Sequence, residues 1–200
     1  MIDRPADEAA AAAATAPTVS HILGEMTWLL TQSALHKALA IGDLEWLVMP
    51  PLIHRQFYVF RDGEKPVGLA LWARCNAAAE EKLDRGMIEP ENRLTFEEWT
   101  SGDSIWLVDL IAPFADQQNR QREIMIADLI SGPLSGKPFK FHFTDPATGK
   151  RTVQTVAADA GERLREAMRC AVSIVHCLSL CRMRTGSAPS ARKRVPMRSA

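Results

Sequence analysis

A carboxylate stands inside the most hydrophobic strand-like run of this 200-residue chain, Ile105-Trp106-Leu107-Val108-Asp109-Leu110-Ile111-Ala112-Pro113-Phe114. Aspartate is depleted in strands, and an unpaired buried charge is costly, so something must hold Asp109. Two readings are open. Asp109 is either the partner of a catalytic base or an aspartate spent on backbone hydrogen bonds or a loop cap. Strand alternation predicts that it shares a face with Ile105, Leu107 and Ile111, with Trp106, Val108 and Leu110 on the other. Both faces are apolar, which predicts a central strand.

Histidine is the usual base near neutral pH. Of His21, His36, His54, His142 and His176, His36 stands out by position. It follows Ser33-Ala34-Leu35 where the first helix is expected to end, with Lys37 beside it. By residue type alone His36 is either a base or a structural histidine at a helix end. His142 falls on the exposed alternation of a strand, and His54 in a loop after Pro50-Pro51. Among the cysteines, Cys170, Cys177 and Cys181 fall on one apolar stripe of a predicted helix without a CxxC pair. That pattern predicts packing rather than a metal site. The chain has no G-x-S-x-G elbow, phosphate-binding loop or dinucleotide fingerprint.

The elements that must position these groups follow from periodicity. Residues 20–35 read as an amphipathic helix capped by Ser20, and a short helix over Asp43 to Met49 is expected to stop at Pro50-Pro51. Gln56–Phe60, the turn around Asp62-Gly63 and Val67–Ala73 predict a hairpin. Ala77–Arg85 reads as a helix, Phe96–Trp99 as a helical turn and Gln117–Ile130 as a helix ended by Ser131-Gly132-Pro133. Pro138–Thr144 and Arg151–Val156 read as a second hairpin, and Gly161 to about Met183 as a last helix. This order predicts an α+β domain with a mostly antiparallel central sheet flanked by helices. The expected organisation is a disordered Ala-rich tail over 1–19, one domain over 20–183 and a disordered basic tail over 184–200.

Lys+Arg 24 balance Asp+Glu 24, which argues against a dedicated nucleic-acid binder. No apolar run approaches the ~20 residues of a membrane-spanning helix. The Ala-rich start lacks the basic and strongly apolar regions of a signal peptide, so a cytoplasmic location is expected.

Two segments together are more specific than either alone: Leu23-Gly24-Glu25-Met26-Thr27-Trp28-Leu29-Leu30-Thr31-Gln32-Ser33-Ala34-Leu35-His36, and Trp99-Thr100-Ser101-Gly102-Asp103-Ser104 running into Ile105–Phe114. The pair resembles the hallmark segments of the RTX toxin-activating lysine acyltransferases. Arg61-Asp62-Gly63 with Pro66, Trp72-Ala73, and Asp145-Pro146 with Gly149-Lys150 extend the resemblance over roughly residues 20–155. Ala34, Lys37 and Leu110 depart from the proline, arginine and tryptophan common in the family.

The resemblance implies a GNAT-like fold. It also implies transfer of a fatty acyl chain from acyl carrier protein to internal lysines of an RTX protoxin, with His36 and Asp109 as the catalytic pair. No bound cofactor is expected, since the donor is the acylated carrier. Ser33, Lys37, Arg55 and Arg61 are the candidate substrate-binding residues, and Lys65 joins the last three as a candidate for docking an acidic carrier. A homodimer is compatible with this reading. The rivals are a GNAT-like acyltransferase acting on another amine and a non-catalytic module that binds an RTX partner.

Overall fold

The computed structural model describes residues 18–166 apart from positions 88, 117, 146 and 147. The chain divides into two compact units, residues 1–160 and 161–200, and the elements below lie in the first. Cys170, Cys177, Cys181, His176, the tail before residue 18 and the basic tail lie outside the described residues, as does most of the expected last helix.

A five-stranded sheet runs in the order β1 (Phe57–Asp62), β2 (Lys65–Cys75), β3 (Ser104–Ile111), β4 (Phe139–Thr144) and β5 (Arg151–Val156). Every neighbouring pair is antiparallel except β3 and β4. This is an α+β fold compatible with the GNAT-like arrangement, and β3 is the central strand that its apolar faces predict.

The helix carrying the first motif, α1 (Val19–Gln32), is capped by Thr18, whose hydroxyl accepts from the His21 amide. The cap therefore precedes the expected Ser20. α1 buries Met26, Leu29 and Leu30 against Leu69, Leu71 and Ile111 of the sheet. Next come α2 (Leu44–Leu47) and α3 (Met49–His54). Pro50-Pro51 does not stop a helix here but opens α3. The first turn of a helix has no intrahelical partners for its amides, so proline loses nothing there. His54 is accordingly the last residue of α3 rather than part of a loop.

The helix α4 (Ala77–Arg85) begins where the Asn76 side chain accepts from the Ala79 amide. It covers a cluster of Ala73, Cys75, Leu83, Trp99 and Trp106. Opposite α1, the helix α5 (Gln121–Ser131) lays Met125 and Leu129 on Ala70, Trp72, Ile105, Leu107 and Phe139.

One irregularity decides where Asp109 points. Between β2 and β3 the register slips: Leu71 faces Asp109 while Trp72 faces Leu107, which leaves Val108 as an extra residue. The bulge changes the phase of the strand. Ile105 and Leu107 pack with α5, whereas Leu71 and Ile111 pack with α1. The alternation expected for Asp109 is therefore corrected. It shares a face with Ile111 but not with Ile105 or Leu107, and so it looks towards the α1 side.

Candidate active site

The chain leaves α1 through Ser33, whose amide donates to the Leu30 carbonyl and whose carbonyl accepts from the amides of His36 and Lys37. This tight turn folds the His36 ring back onto Ser33. His36 Nδ1 lies 2.7 Å from Ser33 Oγ, and His36 Nε2 lies 2.8 Å from Asp109 Oδ2. A local turn and a long-range strand thus meet on one imidazole, across 73 positions of sequence for the histidine and aspartate.

The pair is sheltered but reachable, with 15% of the His36 side chain and 24% of the Asp109 side chain exposed. Burial alone disfavours the imidazolium. The hydrogen bond and charge of Asp109 outweigh it, and the pKa of His36 is held above that of an ordinary histidine. A carboxylate accepts only, so Nε2 carries the hydrogen in that bond and the lone pair of the neutral ring sits on Nδ1. The arrangement is a carboxylate-oriented base, chemically able to take up a proton and stabilise the charge it acquires.

The other candidates are placed differently. Ser33 contacts His36 directly. Arg61 gives both terminal nitrogens to Glu25, at 2.7 and 2.6 Å, and so ties β1 to α1 rather than presenting an unpaired charge. Lys65 lies 5.2 Å from the centre of the Phe114 ring. Lys37 and Arg55 are exposed, and among the described residues neither side chain has a hydrogen-bond or ion-pair partner. Arg55 is the left-handed residue that ends α3, with φ 56°. His142 is not on an open face: it packs on Trp106, donates from Nε2 to the Leu83 carbonyl and is partly buried, which lowers its pKa. Among the described residues no group of three or more His, Cys, Asp or Glu side chains is placed to hold a metal ion.

Sequence reasoning missed two features. Glu80 accepts hydrogen bonds from Ser104, from Trp106 Nε1 at 2.8 Å and from Lys140 at 2.9 Å. It thereby pins α4 across the parallel β3–β4 pair. Burial would raise its pKa, but these donors hold it below the usual carboxylate value. The second feature is a half-exposed aromatic pair, Trp28 and Phe114, with ring centroids 6.0 Å apart. Both residues stand in the two hallmark segments, which was the available signal.

Comparison with known proteins agrees with these segments. A model of the RTX toxin acyltransferase family matches residues 15–157. The RTX-III toxin-activating lysine-acyltransferase ApxIIC of Actinobacillus pleuropneumoniae is 36% identical over 100 residues, covering 50% of this chain and 56% of that protein. The leukotoxin-activating lysine-acyltransferase LktC serotype A1 of Mannheimia haemolytica is 37% identical over 98 residues, covering 49% and 56%. The protein-lysine myristoyltransferase RtxC of Kingella kingae is 37% identical over 95 residues, covering 47% and 54%. The chain thus spans a little over half the length of these relatives. With the family model covering most of its length, the chain belongs to the RTX toxin acyltransferase family.

Proposed function

We propose that this chain is a protein-lysine acyltransferase that moves a fatty acyl group from acyl carrier protein to internal lysines of an RTX protoxin. The observation that carries the proposal is the 2.8 Å contact between His36 Nε2 and Asp109 Oδ2 in a chain of this family. The names of the relatives, toxin-activating lysine-acyltransferases and a protein-lysine myristoyltransferase, support the substrate class.

The chemistry is attack of a lysine amine on an acyl thioester. A free lysine has a pKa of about 10.4, so it must reach the site neutral and shed one more proton as the amide forms. His36 accepts that proton, and Asp109 stabilises the resulting imidazolium. Base catalysis of this kind contributes ~10²–10⁴-fold. The geometry favours a base over a histidine that carries the acyl group itself. Both ring nitrogens are engaged at hydrogen-bond distance, and an acyl group on either would displace Ser33 or Asp109.

A strand edge beside this pair could take the donor. Pairing between β3 and β4 runs only from Ile105–Phe139 to Leu107–Phe141, so β3 passes Asp109 without a partner on that side. An extended, amide-bearing thioester arm is suited to such an edge, because it can pair with a strand through its own amides. Carrier-protein donors place the reaction in the bacterial cytoplasm. Lys37 and Arg55 are the exposed cations that would meet an acidic carrier.

Co-expression with acyl carrier protein and a candidate RTX protoxin tests the proposal. The expected result is a fatty-acyl mass shift on protoxin lysines that His36→Ala abolishes. An unmodified protoxin, or full modification by His36→Ala, overturns it.

A further inference from the structure

The proton removed from the lysine has one place to go on His36, and a serine stands in front of it. Nε2 is turned to Asp109, so the lone pair of the neutral ring is on Nδ1, and Ser33 Oγ lies 2.7 Å from it. In that state the hydroxyl donates to the ring and keeps two acceptor lone pairs of its own. The contact is built into the local backbone. Ser33 closes α1, and the turn hydrogen bonds from His36 and Lys37 to its carbonyl hold the ring over it. Ser33 is only 7% exposed, so bulk water is a poor substitute for its hydroxyl.

Building on the acyl-transfer reading, we propose that Ser33 Oγ relays the proton between the attacking lysine and His36 Nδ1. The neutral amine nitrogen forms a bond to the thioester carbonyl carbon, and the carbonyl electron pair moves to oxygen. One N–H proton passes to Ser33 Oγ as the serine's own proton passes to Nδ1, leaving an imidazolium held by Asp109. The C–S bond then breaks with its electron pair on sulfur. The imidazolium returns its proton through Ser33 to the thiolate, giving an amide, a thiol and a neutral histidine. Serine is regenerated at each half of the exchange and is never acylated.

The test uses the full chain with an acylated carrier protein and a lysine-bearing protoxin segment. Ser33→Ala is expected to lower kcat by about 10²-fold, within the range that proton-transfer catalysis contributes, while KM for the lysine substrate stays unchanged. Ser33→Thr keeps the hydroxyl and is expected to recover turnover in part. In mixtures of light and heavy water, the wild type should show the curved rate dependence of two protons in flight, and Ser33→Ala the straight line of one. Circular dichroism melts establish that each variant is folded. Full turnover by folded Ser33→Ala, or a straight line for the wild type, overturns the relay and leaves the acyl-transfer reading intact. So does an acyl adduct on the Ser33 peptide. No transfer by the wild type overturns that reading and the relay with it.

Discussion

Asp109 has two effects on His36 that can be separated by one substitution. Its acceptor oxygen orients the ring, and its charge favours the imidazolium against the burial that opposes it. Asparagine keeps an acceptor but removes the charge. In Asp109→Asn the pKa of His36, followed by NMR, is therefore expected to fall, because burial is then opposed only by a neutral group. The stability consequence has a definite sign. A pKa raised on folding adds stability that is fully present below the unfolded value of about 6.5, and this is lost as pH rises through the folded value. Urea melts should find the gap between wild type and Asp109→Asn largest between about pH 5 and 6.5, narrowing above that range. A gap that widens with pH would show that Asp109 does not stabilise the charged ring. If His36 is the base of the proposed transfer, the same shift governs activity. A base must be neutral to act, so kcat/KM should rise with pH, and its midpoint should move to lower pH in Asp109→Asn along with a lower plateau.

The elements hold this pair through features of differing legibility. The turn before β3 is one that can be tested directly. A Cβ on Gly102 would come within 2.3 Å of the Cys75 carbonyl oxygen and 2.6 Å of the Asn76 amide nitrogen. These are backbone atoms, which cannot swing aside as a side chain does. The Gly102 amide also donates to the Arg74 carbonyl, and the Ser101 hydroxyl accepts from the Asn76 amide. Gly102→Ala should therefore cost at least the ~1–3 kcal/mol typical of overpacking, read as a lower urea midpoint. A midpoint equal to wild type would show that the turn can shift freely. The sequence made α4 legible to its exact ends because Asn76 caps it and Gly86, at φ 97°, stops it, both local signals. The β1–β2 hairpin was legible through Gly63 in the same way. The bulge at Val108 was not, because it is a property of how β3 pairs with β2 and leaves no mark in β3 alone. Pro50-Pro51 misled because proline opens a helix as readily as it ends one. The Ser33–His36 contact lies within one turn, whereas the proximity of His36 and Asp109 was suggested only by two motif segments far apart in sequence.

At the scale of the whole first unit, the site is a consequence of packing rather than a part that could stand alone. His36 follows α1, and Asp109 belongs to the central strand of the sheet. What joins them is the cluster in which Met26, Leu29 and Leu30 lie against Leu69, Leu71 and Ile111, reinforced by the Glu25–Arg61 pair. If α1 separated from the sheet, the contact between His36 and Asp109 would be lost while most strands remained paired. Leu29 is fully buried in that cluster, so Leu29→Ala should cost ~2–5 kcal/mol. Two outcomes distinguish how the cost is distributed. If α1 and the sheet unfold as one cooperative unit, the raised pKa of His36 disappears at the same urea concentration as the far-ultraviolet signal. Leu29→Ala then lowers both midpoints together and leaves the turnover of the folded fraction near wild type. If α1 is instead a separately opening segment, Leu29→Ala releases the His36 signal at lower urea than the sheet and reduces turnover even without denaturant. The buried cluster that joins Met26, Leu29 and Leu30 of α1 to Leu69, Leu71 and Ile111 favours the first outcome, because parting the helix from the sheet would expose all of these side chains together. Separated midpoints in the wild type would overturn that expectation.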